Sequence, residues 1–167
     1  TISYNMPTAK AVSAPAQDTT TTEAPTTEAP TTEAPTTEAP VTEAPTSDLG
    51  QQIANFACQF VGNPYVWGGT SLTNGADCSG FVQSVYKNFG YSLPRTCTPQ
   101  SNAGPAVSLA ALAPGDLVFY DHGTGSCEHV GIYIGNGQIV HASSSRTGIK
   151  ISNVNYSTPF KACRIVN

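Results

Sequence analysis

Charge is scarce in this sequence, and so are long apolar runs. Only 11% of its 167 residues are Asp, Glu, Lys or Arg. No apolar stretch approaches the roughly 20 residues needed to cross a bilayer, which excludes a membrane-spanning helix in the chain as given. The first residues lack a basic segment followed by an apolar core, so no secretory signal is read there. The charges are also unevenly placed. Residues 1–48 hold five Glu, Asp18 and Asp48 against Lys10, a balance of −6, and the remainder is +2. A mildly basic remainder with scattered Lys and Arg is a poor match to a nucleic-acid surface, and none is expected. It suits work near an anionic polymer.

Proline divides the chain in the same way. Seven of its 13 Pro fall within residues 1–45, where residues 21–45 are four TTEAP pentads and one VTEAP. Such a segment cannot bury enough apolar surface to offset its conformational entropy. Regular Pro and Glu favour an extended, self-repelling chain, roughly 78 Å for 25 residues in a polyproline-like form. The composition also suits O-glycosylation. Residues 1–47 are therefore expected to be an unstructured tail or linker, and residues 48–167 the folded domain.

Asp48 can cap a helix, with Gln51 in the capping-box position. Leu49, Ile53, Phe56 and Phe60 follow on one helical face, and Gly62-Asn63-Pro64 ends the run. A polar, Gly-rich stretch from Tyr65 to Asp77 reads as a structured loop. A second helix is predicted from Cys78 or Ser79, with Phe81, Val82, Val85 and Phe89 inward and Gly90 as its stop. After Pro114-Gly115 the apolar period becomes two. Strands are predicted at 116–120, 129–134, 138–142, 149–152 and 160–166. Helices followed by an antiparallel meander make an α+β domain.

Five cysteines, Cys58, Cys78, Cys97, Cys127 and Cys163, imply two pairs and one free thiol in an oxidising compartment. Cys78 is the free thiol by position. Backbone N–H groups at a helix start stabilise an anion, lower a thiol pKa and favour nucleophilic attack. A buried, inert Cys is the plain alternative. A catalytic thiol needs a base and a group to orient it. His129 and His141 lie on adjacent predicted strands around Gly135-Asn136-Gly137. A regular two-residue Asn136-Gly137 turn pairs residues whose numbers have an odd sum. The two histidines have an even sum, so that register would put them on opposite faces. They cooperate only if the hairpin holds a bulge or an odd-length loop. His122 reads as a surface residue, and a zinc site from His122, Cys127 and His129 matches no common ligand spacing.

Several blocks in order then resemble the NlpC-type cell-wall cysteine peptidases. These are Tyr65-Val66-Trp67-Gly68-Gly69, Asp77-Cys78-Ser79-Gly80-Phe81-Val82, Leu93-Pro94-Arg95-Thr96, Pro114-Gly115-Asp116-Leu117-Val118-Phe119, His129-Val130-Gly131-Ile132-Tyr133-Ile134-Gly135 and His141-Ala142. The resemblance implies a papain-like α+β fold, with the nucleophile at a helix N-terminus packed on an antiparallel sheet. It implies hydrolysis of peptidoglycan stem peptides, usually between D-γ-glutamate and meso-diaminopimelate or lysine. Cys78 would be the nucleophile, His129 the base and His141 the polar third member. Tyr65 would help hold the oxyanion or substrate. Asp77 and Ser79 flank the nucleophile, and in some members the equivalent residues bind a free N-terminal amine. Arg95 and Thr96 border the cleft, and Trp67 stands where Tyr is more frequent. No metal or organic cofactor is implied, and a secreted monomer is expected. The four extra cysteines are unusual for the family. Pairs Cys97–Cys127, pinning two cleft loops, and Cys58–Cys163, joining the first helix to the last strand, are the expectation. An amidase or acyltransferase on a related fold, or a non-catalytic wall-binding protein on a stalk, are the competing functions.

Overall fold

A computed structural model describes residues 48–167. The repeat segment, expected to be an extended spacer, lies outside the described residues.

Helix α1 spans Asp48–Cys58 and buries Gly50, Ile53, Ala54 and Ala57. Leu49, Phe56 and Phe60 pack at the margin of the same core. The expected capping box does not form. Gln51 Nε2 donates to Asn55 Oδ1 at 2.9 Å, and Gln52 Nε2 donates to Asp48 Oδ2 at 2.8 Å. Each amide thus takes a partner four residues away along the exposed helix surface.

The Gly-rich loop contains a short hairpin, β1 (Thr70–Ser71) and β2 (Gly75–Ala76). Helix α2, Cys78–Lys87, begins where the sequence placed it and buries Phe81, Val82, Val85 and Tyr86. Phe89 follows it and meets Phe56 edge-on at 5.4 Å. A one-turn helix, α3 (Cys97–Gln100), has no counterpart in the sequence reading.

Five antiparallel strands follow: β3 (Leu117–Tyr120), β4 (His129–Gly135), β5 (Gln138–Ser144), β6 (Gly148–Asn153) and β7 (Pro159–Cys163). Their order is β6-β5-β4-β3-β7. The meander therefore holds only as far as β6, and β7 returns to pair with β3. The outer edge of β6 is already occupied. Gly62 N–H donates to the Ile149 carbonyl and Ile149 N–H to the Asn63 carbonyl, both at 2.9 Å. The last strand completes the opposite edge, where unpaired backbone groups would otherwise be left exposed.

Alternation assigns the two faces of the sheet. Leu117, Phe119, Val130, Ile132, Val140, Ala142 and Ile149 form one core with α1 and α2. Each large side chain buried there contributes roughly 1.5–3 kcal/mol of transfer free energy. Val118, Tyr120, Ile139 and Val154 form a smaller cluster on the opposite face. A half-buried ion pair ties the sheet to the preceding turn: Arg164 Nε meets the buried Asp116 Oδ1 at 2.7 Å.

Cys97 and Cys127 are bridged, with Cα atoms 5.8 Å apart. The bridge fixes the start of α3 to the segment entering β4. Cys58 and Cys163 are not paired; both are free, as is Cys78. The second expected bridge is corrected by the sheet order. Helix α1 lies over β4 and β5, whereas Cys163 ends β7, two strands from β4. That separation is roughly 10 Å, beyond the reach of a disulfide. The Cys163 thiol instead contacts the Gln100 carbonyl at 3.6 Å.

Thiol titration of the oxidised, denatured protein should therefore count three thiols, and full reduction should raise the count to five. A count of one would restore the second bridge. Loss of Cys97–Cys127 by double Ser substitution should lower unfolding stability by about 3–4 kcal/mol on the chain-entropy scale, read from denaturant midpoints.

Candidate active site

The start of α2 is held from three directions. Asp77 is its N-cap, with Oδ1 accepting the Gly80 N–H at 2.7 Å. Its Oδ2 accepts the Gly68 N–H at 3.0 Å. Arg95 clamps both oxygens, Nη1 to Oδ1 at 2.9 Å and Nη2 to Oδ2 at 2.7 Å. The same guanidinium donates to Ser79 Oγ at 3.1 Å. Burial pushes the Asp77 pKa up, but the Arg95 and backbone hydrogen bonds overcome it and hold it below the usual carboxylate value. Gly80 has a steric role: a Cβ there would lie 2.1 Å from the Gly69 carbonyl oxygen. The Gly-rich loop can approach the helix start only because that atom is missing.

This places Cys78 on the first turn of α2, 9% exposed. Its sulfur lies 4.0 Å from the Glu128 carbonyl oxygen. The Val130 N–H also faces it, so the thiol is seated against the backbone on both sides of His129. Helix position led to an expected fall in its pKa; the structure corrects this. Burial, the largest influence, raises the thiol pKa, and the Asp77 charge adds to it. The N–H groups of Val130, Ser79 and Cys78 pull the other way and do not prevail.

The β4–β5 hairpin has the irregularity that its histidines require. Ile132 pairs with Val140 and Tyr133 with Ile139, but Gly135 pairs with Gln138. One residue, Ile134, is bulged, so the sum of paired numbers becomes even. His129 and His141 thereby share a face as diagonal neighbours. His129 Nε2 and His141 Nδ1 are 2.6 Å apart. The register sets Gly131 across from His141, where a Cβ would lie 3.3 Å from the His141 Cβ. His129 Nδ1 has no hydrogen bond among the described residues.

Two further residues complete this cluster. His141 Nε2 lies 2.9 Å from Ser152 Oγ on β6. Tyr156 covers His141 with ring centroids 5.2 Å apart and also packs on Tyr120 at 5.0 Å. Neither was found from the sequence. Ser152 could have been flagged only after the β5–β6 register was known, since His141 pairs with Lys150 and Ser152 is the next residue on that face.

A groove of about 640 Å³ brings together Tyr65, Trp67, Asp77, Cys78, Ser79, Arg95, Thr96 and His129. Cys97 and Cys127 also line it, so the disulfide forms part of its wall. Trp67 is 87% exposed. Tyr65 is half-buried, and burial first, then the Cys78 and Asp77 charges, raise its phenol pKa. His141 lies behind His129 and does not line the groove. His122, read as a surface residue, is exposed but sits on the groove with its ring 6.1 Å from that of His129. Its Nδ1 is 3.1 Å from Ser157 Oγ. Cys127 is committed to the disulfide, so the conceivable zinc set loses its thiolate, and among the described residues no group of three metal-ligating side chains is assembled.

Both imidazoles of this pair are held neutral. Burial, then the His141 charge, lowers His129 to about 3, and burial, then Lys150, lowers His141 to about 4, from 6.5. Between those values the unfolded chain binds more protons than the folded one, so folding stability falls with decreasing pH. Stability should be full above about pH 6.5 and decline toward pH 4. Circular dichroism of the His129→Gln/His141→Gln double variant should show a flatter acid limb. An unchanged limb would contradict neutral burial.

The NlpC/P60 family model matches residues 62–166. The chain is 42% identical over 105 residues to a γ-D-glutamyl-L-lysine dipeptidyl-peptidase of Bacillus cereus, covering 62% of this chain and 31% of that protein. It is 44% identical over 109 residues to the murein DD-endopeptidase MepS/murein LD-carboxypeptidase of Escherichia coli, covering 65% of this chain and 56% of that one. The solved peptidoglycan hydrolase RipB of Mycobacterium tuberculosis superposes with a TM-score of 0.61 at 34% identity, over 71% of this chain and 67% of that chain. This chain thus spans about a third of the Bacillus relative and rather more than half of the Escherichia one. A papain-like α+β architecture, a helix-start thiol and a histidine pair on the facing strands agree with that match: the chain belongs to the NlpC/P60 family.

Proposed function

We propose that this protein is a secreted peptidoglycan hydrolase that cuts stem peptides at the D-γ-glutamyl–diamino acid bond. Residues 48–167 would be the catalytic domain and residues 1–47 a tail or linker. The observation that carries the reading is the engagement of His129 Nε2 by His141 at 2.6 Å, which leaves Nδ1 free in the groove that contains the Cys78 thiol.

The chemistry follows from those positions. The Cys78 S–H proton passes to His129 Nδ1, and the thiolate attacks the amide carbon. Burial penalises a lone thiolate or a lone imidazolium, but the transfer creates both charges together, and each offsets the other. The Cys78 N–H, at the open end of α2, and the Tyr65 hydroxyl donate to the oxyanion. One such donor supplies about 2.7–4 kcal/mol. The imidazolium then returns its proton to the leaving amine, giving a thioester on Cys78. Water, deprotonated by His129, hydrolyses the thioester and restores the free thiol.

The carboxylate beside the nucleophile bears on specificity. Both oxygens of Asp77 are saturated by Arg95 and two backbone N–H groups. A free N-terminal ammonium of a released peptide would have to displace Arg95. The groove therefore suits stem peptides whose L-Ala is still acylated, an endopeptidase rather than a dipeptidyl-peptidase.

Mass spectrometry of digested muropeptides should show new D-γ-Glu C-termini and free diamino acid N-termini. Cleavage of only another bond would overturn the assignment. N-acetylated L-Ala-γ-D-Glu-L-Lys should be cut at least as fast as its free-amine form; strong preference for the free amine would refute the endopeptidase reading. Cys78→Ala should reduce hydrolysis by at least on the order of 10⁴-fold while sacculus binding persists. Retained hydrolysis would remove Cys78 as nucleophile.

A further inference from the structure

Ser152 lies at the end of a line of side chains that crosses three strands on one sheet face. His129 on β4 meets His141 on β5 at 2.6 Å, and His141 meets Ser152 on β6 at 2.9 Å. His141 is fully buried and His129 is 8% exposed, so protons within the line are shielded from bulk water.

Two proton arrangements satisfy both hydrogen bonds. In the first, His129 Nε2–H donates to His141 Nδ1, and His141 Nε2–H donates to Ser152 Oγ. His129 Nδ1 then holds a lone pair and accepts the thiol proton. In the second, the Ser152 hydroxyl donates to His141 Nε2, His141 Nδ1–H donates to His129 Nε2, and His129 carries its proton on Nδ1. A base protonated there cannot take the thiol proton. The first arrangement also accommodates the imidazolium with no change in any other proton. We propose that Ser152 is a positioning residue: by accepting from His141 Nε2–H, it selects the arrangement in which His129 Nδ1 is basic. The assignment rests on the proposed Cys78–His129 chemistry. The other groups facing the pair are Lys150 from β6, Tyr156 from the following loop, Tyr120 from β3 and His122 at the groove.

Ser152 is half-buried on an edge strand, so Ser152→Ala is expected to fold, with a melting temperature lowered by a few degrees because the buried His141 Nε2 loses its partner. Its kcat should fall about tenfold, the scale of one hydrogen bond, with KM unchanged. The limb of the kcat/KM pH profile set by the imidazole should move to lower pH, because the imidazolium loses its distal acceptor. Ser152→Thr should restore both. Unchanged kcat and pH profile in Ser152→Ala, or no rescue by Thr, would overturn the proposal. Ring-nitrogen NMR of the substrate-free wild type is independent of the substrate assignment. It should find His129 and His141 protonated on Nε2; protonation of His129 on Nδ1 would overturn the proposal even if peptidoglycan is the substrate.

Discussion

The 2.6 Å hydrogen bond between His129 and His141 exists because one residue of the β4–β5 hairpin is out of step. The turn itself is ordinary: Asn136 and Gly137 both have positive φ, 52° and 68°, as a two-residue turn between twisted strands requires. Left alone, that turn would send the histidines to opposite faces. The bulge at Ile134 reverses their parity while the apolar alternation of Val130, Ile132, Val140 and Ala142 still points into the helix-covered core. Core packing and site geometry are therefore satisfied by the same slip. A register shift that regularised the hairpin would lose both at once, since period-two patterning couples every side chain of a strand to one face.

The second anchor is Asp77, which joins local helix chemistry to long-range order. As an N-cap it satisfies an orphan N–H of α2. As the partner of Arg95 it draws the segment preceding α3 against that helix start, and the Cys97–Cys127 bridge carries the connection on to the entrance of β4. Three segments distant in sequence thus fix the sulfur relative to His129. A half-exposed ion pair by itself is worth little. Here the guanidinium also fixes Ser79 and reaches toward the Gly69 carbonyl, so its function is geometric more than energetic.

Much of this was legible beforehand. The start of α2 follows from an Asp before a Cys at the end of a Gly-rich loop. The hairpin irregularity follows from counting residues between two histidines. The strands follow from their alternation. What stayed hidden depends on strand order and on competition between local partners. The place of β7 is set by which edge residues 62–63 already cover, and no periodicity reports that. Cys58 and Cys163 are ordinary cysteines until the sheet order separates them. Gln51 fits a capping box on paper, but Asn55 lies one turn away on the same surface. Ser152 becomes meaningful only once β6 is seen beside β5.

The sign of the Cys78 pKa shift is the instructive discrepancy. A helix start stabilises a thiolate only by a partial charge, whereas nearly complete burial removes the solvent that would stabilise it fully. The resting site is thus a neutral thiol beside a neutral imidazole. Neutrality at rest is compatible with the proposed chemistry. The proposed proton transfer would move charge between two groups that are both poorly solvated, so the burial penalties on Cys78 and His129 would be offset in part by their mutual attraction. Water reaching the pair would weaken that attraction but would also solvate each ion, so a buried pair forms only where its geometry and hydrogen bonds offset the lost solvation. In the proposed chemistry that offset comes from the N–H groups of Val130, Ser79 and Cys78 on the sulfur and from His141 on the imidazolium. The buried histidine pair makes the same demand from the other side: its proton must be held by neighbours, because solvent cannot reach His141 to hold it.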